Sequence, residues 1–489
     1  MRIFDFIASK FGYAKRSYNS AKVGRLTNDW TTTQSSANRE IKNDIKVLRA
    51  RSRQLERDND YARRYFKLLE NNVLGSTGIG LQCKSRDPNG SLDKLANQRI
   101  ESAWKDWARP ENCTVAGTHS WLDVQRLVLR SVARDGAVII RKVRNWDNPY
   151  RFAIQVLEVD HLDSDYNFVL KNGNIIRLGV ERDRFEKPVA YYILNGHEGD
   201  EFGMMRPTKR ERIPADEMIL VTITERPHQV LGVPWMSSTM LNLSMLHGMH
   251  EAELVASRIS AAKMGFFTKS ESGEGYQGET DASGNTITTA EPGTFEELPV
   301  GTDFKSFDPQ HPNSAFGDFV KSCLRSVASG LGVSYPSLAS DLEGVNYSSI
   351  RAGLLEERQE WMATQEWFIQ HVVDPIYREW LQYALLSNSL NLPAAKQDKF
   401  QSVEWKARRW PWVDPLKDIQ ANVVAVSNGF KSRRSIVSES GGDIEDVLEE
   451  LRADKELSES LGVSIGDVPE TPERTAYQDG EQEEPNPNS

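Results

Sequence analysis

Cysteine is almost absent from this chain: Cys83, Cys113 and Cys323 are the only three in 489 residues. So few, so widely spaced, build neither a disulfide framework nor a thiolate metal site, and a reducing compartment is the natural expectation. No uninterrupted apolar run approaches the ~18 residues of a membrane-spanning helix, which argues against an integral membrane protein. The opening MRIFDFIASKFGYAKR is interrupted by Asp5 and Lys10 and lacks the continuous apolar core of a secretory signal. A short amphipathic docking helix is expected there.

The residues of a bond-breaking centre are missing too. GSTGIG at 75–80 is glycine-rich, but no Lys–Ser/Thr pair follows, so it is not a phosphate-cradling loop. His161, beside Asp160 and Asp163, reads as a solvated polar bend. His247, His250 and Glu251 share a helical face without HExxH spacing and read as polar packing. Catalysis, metal and cofactor are therefore not expected.

What is present is an ordinary soluble composition, 39% apolar and 27% charged with 12 Trp, long enough for two or more structural regions. Charge is unevenly spread. Residues 1–70 carry 16 Lys and Arg against 8 Asp and Glu, while residues 441–489 carry 3 against 15. An acidic tail thus follows a nearly neutral body with a basic front end.

Apolar spacing predicts a helix over 34–74, with Ile41, Ile45, Leu48, Leu55, Ala62, Phe66 and Leu69 as its stripe. Arg49, Arg51, Arg53, Arg57, Arg63 and Arg64 lie on several of its faces, to be met by solvent, phosphate or an acidic neighbour. Further helices fit 92–108 and 120–134, and short strands fit 137–143, 152–159, 175–180, 189–194 and 218–223. The fold class is α+β, mostly helical. Residues 235–266 read as one long helix with apolar residues on more than one face, which suits close neighbours on two sides. Residues 270–293 are a polar excursion rich in Gly, Ser, Thr and acids.

An amphipathic helix returns over 314–329, carrying Lys321 and Arg325 one turn apart. Two like charges at that spacing weaken an isolated helix slightly, so solvent, an acid or phosphate must face them. Gly330 and Gly332 end it. An irregular loop of 17 residues, 332–348, then runs to a helix over 350–386 that Pro375 can kink. In WKARRWPWVDP at 405–415, aromatics alternate with Lys406, Arg408 and Arg409, which reads chiefly as packing.

The segment ASGLGVSYPSLASDLEGVNYSSIRA, with Ala328, Gly330, Leu331, Gly332, Val333, Tyr335, Leu338, Asp341, Tyr347, Ser348 and Arg351, resembles the lambda-like portal proteins of tailed double-stranded DNA phages. WKDWA at Trp104, the RDGAVII turn at Arg134–Ile140, LEVDHLDSD around Asp160, GVPWM at 232–236 and VVDPIYREWL at 372–381 support the resemblance over roughly residues 20–440. It implies a portal fold of wing, stem, clip and crown assembled as a ring, commonly of twelve subunits, at one capsid vertex. The implied layout is an arm and wing over 1–234, stem helices over 235–266 and 312–331, and a clip over 267–311. A tunnel loop follows over 332–348, a wing helix and return segment over 349–414, a crown over 415–461 and an acidic disordered tail over 462–489.

Implied partners are double-stranded DNA without sequence specificity, the large terminase subunit, the major capsid protein and scaffold, and head–tail connector or adaptor proteins. The implied location is the virion, with assembly in the host cytoplasm. Candidate channel residues are Lys321, Arg325, Ser334, Tyr335, Ser337, Ser340, Asp341, Asn346, Tyr347 and Ser348. Small polar loop residues suit a duplex that must slide better than a dense arginine lining does. Two other classes stay open: a capsid-associated hydrolase or nuclease, which needs a metal or carboxylate cluster, and a free DNA-binding regulator, which binds tightly and by sequence.

Overall fold

The computed structural model describes residues 24–25, 28–197, 199, 209–261, 265–269, 279–280, 286–287, 302–306, 316–344, 347–410, 415–439, 442 and 444–462. In chain order the principal elements begin with α1 (Ala37–Asp58), α2 (Asp60–Val73), β1 (Gly80–Cys83), α3 (Lys94–Trp107) and α4 (Trp121–Asp135). Eight strands follow: β2 (Ala137–Arg144), β3 (Phe152–Glu158), β4 (Phe168–Val169), β5 (Ile175–Arg177), β6 (Val180–Arg182), β7 (Pro188–Leu194), β8 (Arg210–Pro214) and β9 (Met218–Thr222). Next come α5 (Met240–Ala261), β10 (Gly265–Lys269), β11 (Glu279–Thr280), β12 (Thr286–Ile287), β13 (Thr302–Ser306) and α6 (Phe316–Gly330). The chain continues through α7 (Tyr335–Ala339), α8 (Tyr347–Phe368), α9 (Asp374–Leu386), β14 (Val403–Lys406), α10 (Pro415–Ser427), α11 (Arg433–Glu439) and α12 (Ile444–Leu461). The fold is mixed α+β.

Contacts divide the chain into two compact units, one of residues 1–63, 128–143 and 154–331, the other of 64–127, 144–153 and 332–489.

In the first unit, β2 pairs antiparallel with β9 in a sheet of order β3-β2-β9, and β4 to β8 form a five-stranded antiparallel meander. Ile41 and Ile45 of α1 pack with Ala137, Ile139, Val180, Ile193, Ile213 and Met218 to make the core. Gly136 and Gly232 allow two backbones to touch: a Cβ on Gly136, at φ +82°, would lie 2.4 Å from the Gly232 carbonyl oxygen. That close approach explains the glycines of the RDGAVII and GVPWM motifs.

Helix α1 is capped by Ser36, whose hydroxyl accepts from the Arg39 N–H at 3.3 Å. It stops at Asn59, whose backbone is extended and whose Oδ1 accepts from Ala62 N–H at 3.0 Å. The single helix expected over 34–74 is therefore two, because the Asn59 side chain starts the second. Its arginines divide: Arg51, Arg57 and Arg63 are exposed, whereas Arg49 and Arg53 meet acidic neighbours. Arg49 is 2% exposed and donates to the Asp135 carbonyl at 3.0 Å, while Arg53 reaches the Asp135 carboxylate at 2.7 Å and also pairs with Asp160. Nor is the DHLD segment a solvated bend: Asp163 is buried and paired to Arg210. The long helix expected over 235–266 is shorter. Residues 235–239 form turns, and Gly265–Lys269 pairs with Thr302–Ser306, as aromatic and β-branched Phe266, Phe267 and Thr268 favour.

The second unit is built on aromatic rings. Trp104 stacks on Trp107 at 4.7 Å and meets Trp380 edge-on at 5.0 Å, with Trp121, Tyr377 and Trp405 around them. Strand β1 pairs with β14 at their edge. Between α8 and α9 the helix widens to a π turn over Ile369–Val373, and Asp374 N–H reaches back to the Ile369 carbonyl. Pro375 has no N–H and its ring would crowd an α-helical carbonyl, so the wider turn absorbs the expected kink.

Candidate channel loop and subunit-contact faces

The loop after α6 opens at Gly332, in the left-handed region at φ +67°. The irregular stretch expected over 332–348 contains a helix, α7. Ser334 caps it, its Oγ accepting from Ser337 N–H at 3.4 Å, and Pro336 sits in the first turn, where a missing N–H costs nothing. The Ser334 and Ser337 hydroxyls both donate to one oxygen of Glu357, at 2.7 and 2.9 Å, and Leu338 is buried beneath them. Arg64 Nε donates to the Ser337 carbonyl at 3.1 Å. The Tyr335 hydroxyl donates to Asp341 at 2.7 Å. Ser340, exposed, takes a left-handed φ of +54° and ends the helix.

Ser334, Ser337, Tyr335 and Asp341 therefore hold the loop's own shape, and among the described loop residues Ser340 is an exposed small polar group. Asn346 lies outside the described residues, as do the side chains of Tyr347 and Ser348, which open α8. Lys321, half-buried, and Arg325, exposed, belong to α6 in the first unit. Sequence reading missed Glu357, and it named Arg64 without foreseeing its contact with the loop. Glu357 had a readable signal: Ile350, Leu354, Glu357, Trp361, Gln365 and Phe368 follow helical spacing, so two polar residues sit on an apolar stripe. Both are buried, Glu357 bridging the two serines and Gln365 bonded through its amide nitrogen. Gln365 Nε2 lies 3.2, 3.1 and 3.0 Å from the carbonyls of Asn72, Val73 and Arg408.

In the first unit, Leu243 and Leu246 bury one face of α5, while Leu241, Met245 and Val255 stand exposed on the opposite face. Leu254, 71% exposed, adds another apolar side chain near its end. An open groove of about 480 Å³, lined by Met245, Leu246, Met249, Phe319 and Cys323, runs between α5 and α6. Among the described residues, Glu158, Asp160 and His197 are the one trio of metal-capable groups close enough to share an ion. Asp160 is already paired with Arg49 and Arg53, whose positive charge opposes a cation there. No helix among the described residues is long and apolar enough to cross a membrane.

Residues 23–365 match the family described as phage portal protein, lambda family. The chain belongs to that family. It is 34% identical over 454 residues to the probable portal protein of Halomonas phage phiHAP-1, covering 92% of this chain and 88% of that one. It is 21% identical over 493 residues to portal protein B of Escherichia phage lambda, covering 91% of this chain and 90% of that protein. Among solved structures, a chain from the neck of a native gene transfer agent particle is similar at a TM-score of 0.43 and 14% identity, over 82% of this chain and 93% of that chain. The span matched to the portal family includes α5, α6, the loop around α7 and most of α8.

Proposed function

We propose that this chain is the portal subunit of a tailed phage, closing as a ring of twelve at one capsid vertex. The axial channel passes double-stranded DNA inward during packaging and outward during ejection. The large terminase subunit docks first and head–tail connector or adaptor proteins later, with the major capsid protein and scaffold around the ring. Assembly takes place in the host cytoplasm. The observation that carries this reading is α5, in a chain of the portal family, with apolar residues exposed opposite its buried face. A helix flanked by identical neighbours requires that pattern.

In this reading residues 1–234 supply arm and wing, 235–266 and 312–331 the stem, and 267–311 the clip. Most of β10, the paired β11 and β12, and β13 fall in the clip, much of which lies outside the described residues. Residues 332–348 line the tunnel, 349–414 return to the wing, 415–461 form the crown and 462–489 the acidic tail. Lys321 and Arg325 would repeat as rings of positive charge, making weak, sequence-blind phosphate contacts. Ser340 would present a replaceable polar contact.

Images of purified full-length assemblies viewed down their axis test the proposal. The expected result is a closed ring with a central opening that admits a duplex. A compact monomer, or a closed assembly without a passage, would overturn it.

A further inference from the structure

Helix α10 in the second unit is seated on one side and bare on the other. Asp418, Asn422, Ala425 and Val426 are half-buried, and Asp418 accepts from Arg351 at 2.8 Å. Away from them, Leu416, Ile419 and Val423 recur at spacings of three and four, all exposed. Phe430, 85% exposed, follows at the helix's end. There Gly429 turns the chain at φ +75°, and the Phe430 N–H returns to the Ala425 carbonyl at 2.9 Å. Large apolar side chains in one row form a patch, unlike singly scattered ones.

Helix α12 of the same unit is bare over most of its length. Arg434 with Glu445, at 2.7 Å, and Lys94 with Glu449 anchor its first half. From Leu448 to Leu461 every residue except Ser458 is exposed, Leu448, Leu451, Leu457 and Leu461 included. Glu450, Asp454, Glu456 and Glu459 lie among those leucines and outnumber Arg452 and Lys455. The α10 segment has the opposite sign. Asp418, already held by Arg351, is the one acid in the sequence from 415 to 434, whereas Lys417 and Arg433 are exposed near the two ends of the apolar row.

We propose that the α12 leucines of a neighbouring copy seat on the α10 row, with the α12 acids reaching Lys417 and Arg433. The lengths agree: α10, with 13 residues, and the stretch from Leu448 to Leu461 each run about 20 Å. The subunit's own α12 is anchored at Lys94 and leaves the row bare. Each copy carries one row and one acidic helix, so head-to-tail closure covers both in every copy. A separate protein on α10 would leave α12 exposed. Duplex DNA presents phosphates, which α12 repels and an apolar row does not bind. The inference rests on the ring reading above and gives the crown a lateral contact distinct from α5.

The test is photochemical. Full-length chain carrying a benzophenone side chain in place of Val423 is assembled from light and nitrogen-15-labelled copies and irradiated. Links to residues 444–461 should include light–heavy pairs, and the reciprocal probe in place of Leu451 should link to residues 415–430. Leu451→Ala should leave the subunit's melting temperature unchanged, because Leu451 is exposed, and weaken association about tenfold. Combined with Val423→Ala it should weaken association by less than the product of the two separate effects, since both remove one contact. Rings that form with same-isotope links only, with links to other segments, or with none would overturn the proposal and leave the ring reading standing. So would unchanged association of Leu451→Ala, or strictly multiplicative effects of the two substitutions. Wild-type copies that never associate would remove the ring reading and this inference together.

Discussion

Asp135 draws three arginines to one carboxyl-bearing residue. Arg53 Nε and Arg134 Nη2 each reach its carboxylate at 2.7 Å, and Arg49 takes its backbone carbonyl at 3.0 Å. Asp160 completes the cluster from β3's end. Burial alone would raise the Asp160 carboxyl, but the charges of Arg49 and Arg53 hold it below the ordinary carboxylate range. A depressed folded-state pKa stabilises above the unfolded value of about 4 and is lost as pH falls through the lower folded value. Asp160→Asn should therefore cost about 2–3 kcal/mol at neutral pH and flatten the acid limb of stability below about pH 4. Urea midpoints across pH check both; parallel acid limbs for the two proteins would sink the assignment. Gly136→Ala should cost more than about 1 kcal/mol, because its φ is positive and the Gly232 carbonyl blocks a methyl group. The same urea titration measures it. The arginine run was plain in the sequence. Its partners were not, since Asp135 and Asp160 lie 82 and 107 residues from Arg53 and spacing carries no signal over that distance.

Among elements, the short α7 depends on a neighbour more than on itself. Five residues cannot sustain a helix by propensity alone, so the Ser334 cap and the Glu357 bridge to Ser334 and Ser337 hold it. Glu357→Ala removes the common acceptor, and loss of a charged hydrogen-bond partner costs about 1.5–3 kcal/mol. Amide exchange over 334–341 should speed by at least about tenfold, while exchange across the tryptophan cluster stays at its wild-type rate. Equal acceleration everywhere would mean that Glu357 serves global stability and not the loop. The long amphipathic elements were legible from periodicity: α3, α4, α6 and the α8–α9 path lie within a few residues of their expected positions. The misses have physical causes. Helix α7 is too short to show a period, β8 is hidden by the charged sequence RERIP, and the turn at Leu178–Gly179 splits one expected strand into two. The partners of Ser334 and Ser337 were not legible, because Glu357 and Arg64 reach them only through tertiary contacts.

For the whole molecule, the exposed face of α5 separates folding from assembly. Leu241 and Met245 are 70% and 66% exposed, so charging them removes little buried area from the chain itself. A Leu241→Asp subunit should keep its monomer stability within about 0.5 kcal/mol. In a ring the same substitution recurs at every interface, where each new carboxylate loses hydration without gaining a partner. Closed rings should therefore disappear from light-scattering mass measurements while the subunit's melting temperature stays put. Salt adds a second discrimination. Apolar contact strengthens in sulfate, whereas ion pairs weaken as salt screens them. If α5 supplies the main lateral contact, wild-type rings should survive molar sulfate, and a Leu241→Asp protein should stay dissociated in it. Leu241→Asp copies that still close into rings of wild-type mass would show that this apolar face looks toward solvent in the assembly and that the subunits meet elsewhere.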